Sequence, residues 1–133
     1  MKKLVGVVLF LLLSSGCSAQ SANFPKDAFA GKWVRAQQFN DLVLEIKFEN
    51  GKDYATVIDI GTGEAPPIVF QAKMHDNKLI ISPQTHVNDN HIELEIKNKK
   101  LIFKYQLVIW DRNGDPSPVE KNRFLSEVYK KAK

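Results

Sequence analysis

The chain has 133 residues, 44% hydrophobic and 26% charged. That is enough for one globular domain and leaves no room for two. A formal net charge of +4 is too mild to argue for a nucleic-acid partner, and the single cysteine excludes an internal disulfide.

Residues 1–16 read as a targeting segment. Lys2 and Lys3 form a positive start, and Leu4 to Leu13 form an apolar run too short to span a bilayer as a stable anchor. Ser14-Ser15-Gly16-Cys17 resembles the lipobox of bacterial lipoproteins, in which small residues precede an obligatory cysteine. The resemblance implies cleavage before Cys17, a diacylglycerol thioether on its sulfur, and a protein anchored to the membrane of the cell envelope. Acylation would also consume a thiol that is otherwise an oxidation liability. Ordinary secretion after Ala19 or Ala22 is the alternative. Ser18, which is not aspartate, resembles the signal for the outer membrane facing the periplasm if the envelope is Gram-negative. Loss of Lys2 and Lys3 leaves a net charge of +2, and the one concentration of charge is Lys130-Lys131-Lys133. Such a tail is either simply solvated or in contact with anionic lipid.

Residues 17–23 are small and polar, a tether, and 24–133 form the domain. Phe24 to Ala30 suits a helical turn, with Phe24 and Phe29 plugging one end of a core. A strand runs from Gly31-Lys32-Trp33 to about Phe39. Leu42, Leu44, Ile46 and Phe48 then alternate with Val43, Glu45, Lys47 and Glu49, the period of a half-buried strand. A three-residue loop Glu49-Asn50-Gly51 would set Phe48 opposite Lys52 and put Tyr54, Thr56 and Ile58 on the apolar face, with Asp53 and Asp59 outside. After a loop at 61–66, Ile68, Phe70, Ala72 and Met74 alternate. A turn at Asp76-Asn77 pairs Met74 with Leu79 and Ala72 with Ile81. Beyond Pro83 and the polar connection 84–90, Ile92, Leu94 and Ile96 face inward. The turn at Asn98-Lys99 sets Leu94 against Phe103 and Glu93 against Lys104, and Leu101 to Trp110 is the longest strand.

A Gly-x-Trp at Gly31 and Trp33, opening a ladder of short hairpins, resembles the lipocalin and fatty-acid-binding-protein superfamily and its small bacterial lipocalin-like lipoproteins. The resemblance implies an all-β fold, an antiparallel up-and-down meander closed into a small barrel of about eight strands. It also implies that Trp33 packs across the closed end with a late arginine over its ring, for which Arg123 is the best-placed residue. Closure wants a last strand over about Asn122 to Tyr129. Against this, Ser117-Pro118-Val119-Glu120 reads as a capping box, so a short C-terminal helix is the competing reading.

The sequence offers little chemistry. His86 and His91 share a loop with Asp89, but that spacing fixes no ligand geometry and no fourth ligand is evident. Asp111-Arg112-Asn113-Gly114-Asp115 departs from a calcium loop in the place of its glycine and its final ligand, which makes it a hairpin loop. No nucleophile sits in a recognisable setting. A non-enzymatic protein without metal or cofactor is expected. Trp110, with Asp111, Arg112 and Asn113, either packs under its loop or contacts a ligand or partner. Two functions remain open. One is binding of a small apolar ligand or envelope component by the barrel. The other is binding of an envelope protein, as an inhibitor, immunity factor or assembly accessory, through the loops at 61–66, 84–90 and 111–118.

Overall fold

Alternating apolar and polar residues become strands because one face of each can be buried while the other stays in water. The computed structural model describes residues 24–84, 90–121 and 123–133. The segments 1–23 and 85–89 and residue 122 lie outside it. They include the targeting segment, Cys17, the tether and His86. A short helix α1 (Phe24–Phe29) is followed by strands β1 (Gly31–Arg35), β2 (Leu42–Phe48), β3 (Ala55–Gly61), β4 (Ile68–His75), β5 (Lys78–Ile81), β6 (Asn90–Lys97), β7 (Lys100–Trp110), β8 (Pro116–Pro118) and β9 (Leu125–Lys131). Each of β1 to β7 pairs antiparallel with the next, and β9 pairs with both β7 and β1. The result is a closed, lipocalin-like barrel of eight strands. The small strand β8 extends a β7–β8 hairpin past the open rim.

Two tight turns set the register of half the barrel. Asp76 and Asn77 have φ of 48° and 62°, and Asn98 and Lys99 have 52° and 61°. Positive φ at both central residues is the type I′ geometry, whose twist matches that of the flanking strands. Met74 accordingly faces Leu79, Leu94 faces Phe103 and Glu93 faces Lys104, as the sequence predicts. Lys99 is the costly member, since a left-handed residue with a Cβ is strained by about 1–2 kcal/mol.

The β2–β3 connection corrects the sequence reading. Lys52 N–H does donate to Glu49 O at 3.2 Å and Gly51 is left-handed at 79°, but Asp53 and Tyr54 lengthen the loop. Phe48 therefore lies opposite Ala55, not Lys52, and Ile46 opposite Val57. The odd displacement reverses the faces of β3. Ala55 and Val57 are buried, and Tyr54, Thr56 and Ile58 are not. Interior volume explains the choice. Ala55 lies opposite Ala72 on β4, and these small residues share a core cluster with Trp33, Phe29, Leu44 and Leu101. Larger side chains there would overfill a barrel packed near crystal density.

The C-terminal segment is a strand, not a helix, displaced a few residues from the expected range. Glu120 pairs with Arg123, Nη1 to Oε2 at 3.0 Å, and Ser117 is paired with Ile109 on β7. The capping-box residues are thus engaged elsewhere.

The α1 end of the barrel is plugged. Phe29 and Trp33 are each only 1% exposed, and the indole Nε1–H donates to Phe29 O at 2.8 Å, tying helix to strand. The Phe24 side chain lies outside the described part. The cation over the Trp33 ring is Lys131, with Nζ 4.9 Å from the ring centre, and its ammonium also donates to Ala30 O. Arg123, the expected candidate, lies toward the opposite rim beside Tyr105 and Leu107. Gly31 makes the crossing feasible. Its φ is +121°, and a Cβ there would lie 3.0 Å from Lys131 Cε. Gly31→Ala should cost about 1–3 kcal/mol, read as a lower denaturant midpoint. Adding Lys131→Ala relieves only the contact and not the backbone strain, so it should restore little of the loss.

Candidate functional site

At the end away from α1 the interior changes character. Trp33 and Arg35 share a face of β1, as Tyr129 and Glu127 do on β9, and Val57 and Asp59 on β3. The same alternation that buries Trp33, Tyr129 and Val57 therefore turns three charged residues toward the mouth. Arg35 Nη1 pairs with Glu127 Oε1 at 3.0 Å, both about one-third exposed. Asp59 Oδ1 accepts the Gly61 N–H at 3.0 Å. This is where β3 carries an extra residue, with Leu44 opposite Asp59 and Val43 opposite Gly61.

Burial pushes the Asp59 carboxyl above its ordinary value, against the pull of the Gly61 hydrogen bond. Tyr129 is pushed up to about 12 by burial and by the neighbouring Glu127 and Asp59 carboxylates, with Arg35 opposing. Its ring packs against Phe103 at 6.0 Å. Tyr129 thus marks the floor of the mouth, with apolar packing below and fixed charges above.

The rim is apolar. Ile68, Leu107 and Leu125 occupy inward-facing positions yet are about half exposed, and so are Ile109 and Val119 on the projecting hairpin. Val119 N–H donates to Leu107 O, which continues the hairpin ladder and keeps these two side chains together. A cleft of about 160 Å³ lies between Leu107, Val119 and Leu125, closed on its polar side by Gln106, Glu120 and Arg123. Across the mouth a broader recess of about 450 Å³ runs from Arg35 under Phe39 and Asn40 to Thr62. Phe39 is 86% exposed above it.

The residues singled out in the sequence are spread around this arrangement. Trp110 stands opposite Pro116 on the outward face of the hairpin, half-buried. Asp111 Oδ1 accepts the N–H groups of Asn113 and Asp115, at 2.8 and 2.9 Å, which makes its loop a tight turn. Arg112 is exposed there. His91 Nε2 lies 3.2 Å from Glu93 Oε1, and its ring meets the edge of Phe124. Gly31 and Trp33 belong to the opposite end. Arg35, Asp59 and Glu127 were missed in the sequence, though parity offered a signal for two of them. Each lies two residues from an aromatic that faces the core.

Comparison with family models, curated proteins and solved structures finds no match to this chain.

The raised Asp59 pKa fixes a sign. The folded state prefers the neutral acid, so its contribution is fully present below the unfolded pKa and is lost as pH rises through the folded one. Asp59→Asn, which keeps a carbonyl acceptor for Gly61, should therefore raise the melting temperature at pH 7. The gain should disappear as the pH of the thermal scan falls below the carboxylate range.

Proposed function

We propose that this protein is a membrane-anchored bacterial lipoprotein, lipidated at Cys17, whose small barrel binds an apolar ligand or envelope component at its mouth without catalysing a reaction. The lipobox-like Ser14-Ser15-Gly16-Cys17 supports the anchor, after a signal peptide over 1–16 and before a tether over 17–23. A lipid on Cys17 would hold the protein in the cell envelope, and Ser18 after it supports the outer membrane facing the periplasm in a Gram-negative cell. The Gly-x-Trp opening and the closed eight-stranded meander support a place among small lipocalin-like lipoproteins.

The observation that carries the binding reading is the contrast between the two halves of the interior. Inside the barrel, Trp33, Leu44, Ile46, Leu79, Leu94 and Leu101 are essentially inaccessible and leave no room for a ligand between them. At the mouth, side chains of the same inward parity are half exposed. Each such group moved from water to a ligand contributes about 25 cal/mol per Å² covered. A shallow site of this kind takes an apolar group lengthwise along the rim, not a molecule buried in the barrel. The Arg35–Glu127 pair and Asp59 offer polar atoms to one end of it, so an amphipathic ligand fits better than a pure hydrocarbon.

A second reading, recognition of an envelope protein, is favoured by the β7–β8 hairpin. Its exposed Leu107, Ile109 and Val119 project on a paired backbone, a rigid mount for a protein contact.

Native mass spectrometry of the protein extracted from membranes should retain a small apolar or amphipathic molecule. Leu107→Asp with Leu125→Asp should release it with little change in melting temperature, because both residues already meet water. An unoccupied mass across a lipid panel, together with a co-purifying envelope protein lost in the same double variant, would favour the second reading. Labelled palmitate should enter the wild type and not Cys17→Ser.

A further inference from the structure

The α1 end of the barrel carries more lysines than carboxylates, with Asp27, Glu49, Asp53 and Asp76 exposed among them. β6 ends on Lys97, its turn carries Lys99, and β7 opens on Lys100. Lys100 stands opposite Lys130 on β9, beside Lys131 and the terminal Lys133. Among the described residues, Lys97, Lys99, Lys100, Lys130 and Lys133 have no carboxylate within ion-pair distance. Lys99 has φ 61°, in a turn position suited to glycine or asparagine, so its ammonium is carried on a strained backbone. Next to the group lies an open recess of about 660 Å³, with Phe29, Trp33 and Ile96 in its floor and Lys99, Lys131 and one carboxylate, Asp27, on its lining. The opposite end leans the other way, with Asp41, Glu64, Asp111, Asp115 and Glu120 exposed in its loops against Arg112, Lys121 and Arg123.

Position adds a second argument. Helix α1 starts at Phe24, seven residues after Cys17, and seven residues reach at most about 25 Å. A chain held through Cys17 keeps the start of α1, and so this end of the barrel, within that reach of the bilayer.

We infer that the lysine-bearing α1 end is a membrane-facing surface whose occupant is the anionic headgroup layer of the bilayer, with the mouth directed away from it. The inference rests on the proposed anchor only for proximity; the attraction belongs to the lysines. Ammonium groups act together on a negatively charged surface within about a Debye length of 8–10 Å, and salt screens them. A neutral headgroup layer offers no such field.

The test uses the intact protein reconstituted on vesicles of phosphatidylcholine alone or mixed with phosphatidylglycerol. A water-soluble acetylating reagent is applied and each lysine is read by mass spectrometry. On anionic vesicles, Lys97, Lys99, Lys100 and Lys130 should react several-fold more slowly than on neutral ones, while Lys121 near the mouth should not change. High salt should remove the protection. Lys99→Gly separates contact from folding, because relief of the left-handed strain should raise stability while protection of Lys97 and Lys100 falls. Equal reactivity on the two vesicle types, or equal protection of Lys121, overturns the inference whatever holds the protein to the vesicle. If the lysines are protected at low salt but the protein washes off at high salt, the inference stands and the anchor at Cys17 fails.

Discussion

The structure depends on one act of closure, the pairing of β9 with both β1 and β7. Without it, β1 and β7 are edges, each presenting a row of unpaired backbone groups to water and to other chains. What aligns β9 is concentrated near its end. Tyr129 is buried opposite Leu101, and Lys131 crosses the Trp33 ring. Ala132 N–H donates to Lys32 O, carrying the β1 ladder one step further. The helix serves the same closure, since Phe29 fills the space under the strands and its carbonyl accepts the hydrogen bond of the Trp33 indole N–H. The lysine therefore does more than decorate an aromatic ring. It is a register mark, and the glycine across from it is the residue that lets it pass.

Much of the fold was legible because its signals were local. Period-two alternation gave the strands, and the two-residue turns at Asp76-Asn77 and Asn98-Lys99 gave register, since a two-residue hairpin loop admits few geometries. The hairpin at 49–54 misled for the converse reason. Asn50-Gly51 is a genuine turn signal, but Asp53 and Tyr54 are also loop, and alternation after a loop of unknown length fits either face. Interior volume decided it. Ala55 and Ala72 face each other beside large neighbours, and no window of sequence displays that partnership. The late cation was misassigned in the same way. Arg123 and Lys131 are both basic residues near the end, and only the β1–β9 register brings Lys131 to Trp33.

The mouth was the least legible part, because it is made of residues that break the pattern used to find strands. Arg35, Asp59 and Glu127 occupy core parity while carrying charge. They are tolerated because the mouth is open to solvent, so the Arg35–Glu127 pair forgoes full burial and its desolvation cost. Asp59, half-buried, is held by a backbone N–H made available where β3 bulges. Polarity inside the rim and oily residues on it are thus consequences of one geometry. β7 outruns its neighbours, so its inward row emerges into water as Leu107 and Ile109.

The two ends of the barrel can then be considered together. A filled interior prevents a ligand from passing through it, so whatever binds at the mouth must enter and leave by the mouth. If that opening faced the bilayer, the half-exposed Ile68, Leu107 and Leu125 would meet lipid directly, but so would Asp41, Glu64, Asp111, Asp115 and Glu120, which outnumber Arg112, Lys121 and Arg123 and which an anionic headgroup layer repels. Reversing the barrel removes this conflict. The lysines then meet the headgroups, and the acidic loops face the aqueous side. The oily rim is left open to molecules or partners that arrive through solution. Charge asymmetry, more than the distance from Cys17 to α1, would give the domain an orientation, since a single point of attachment limits distance and not rotation.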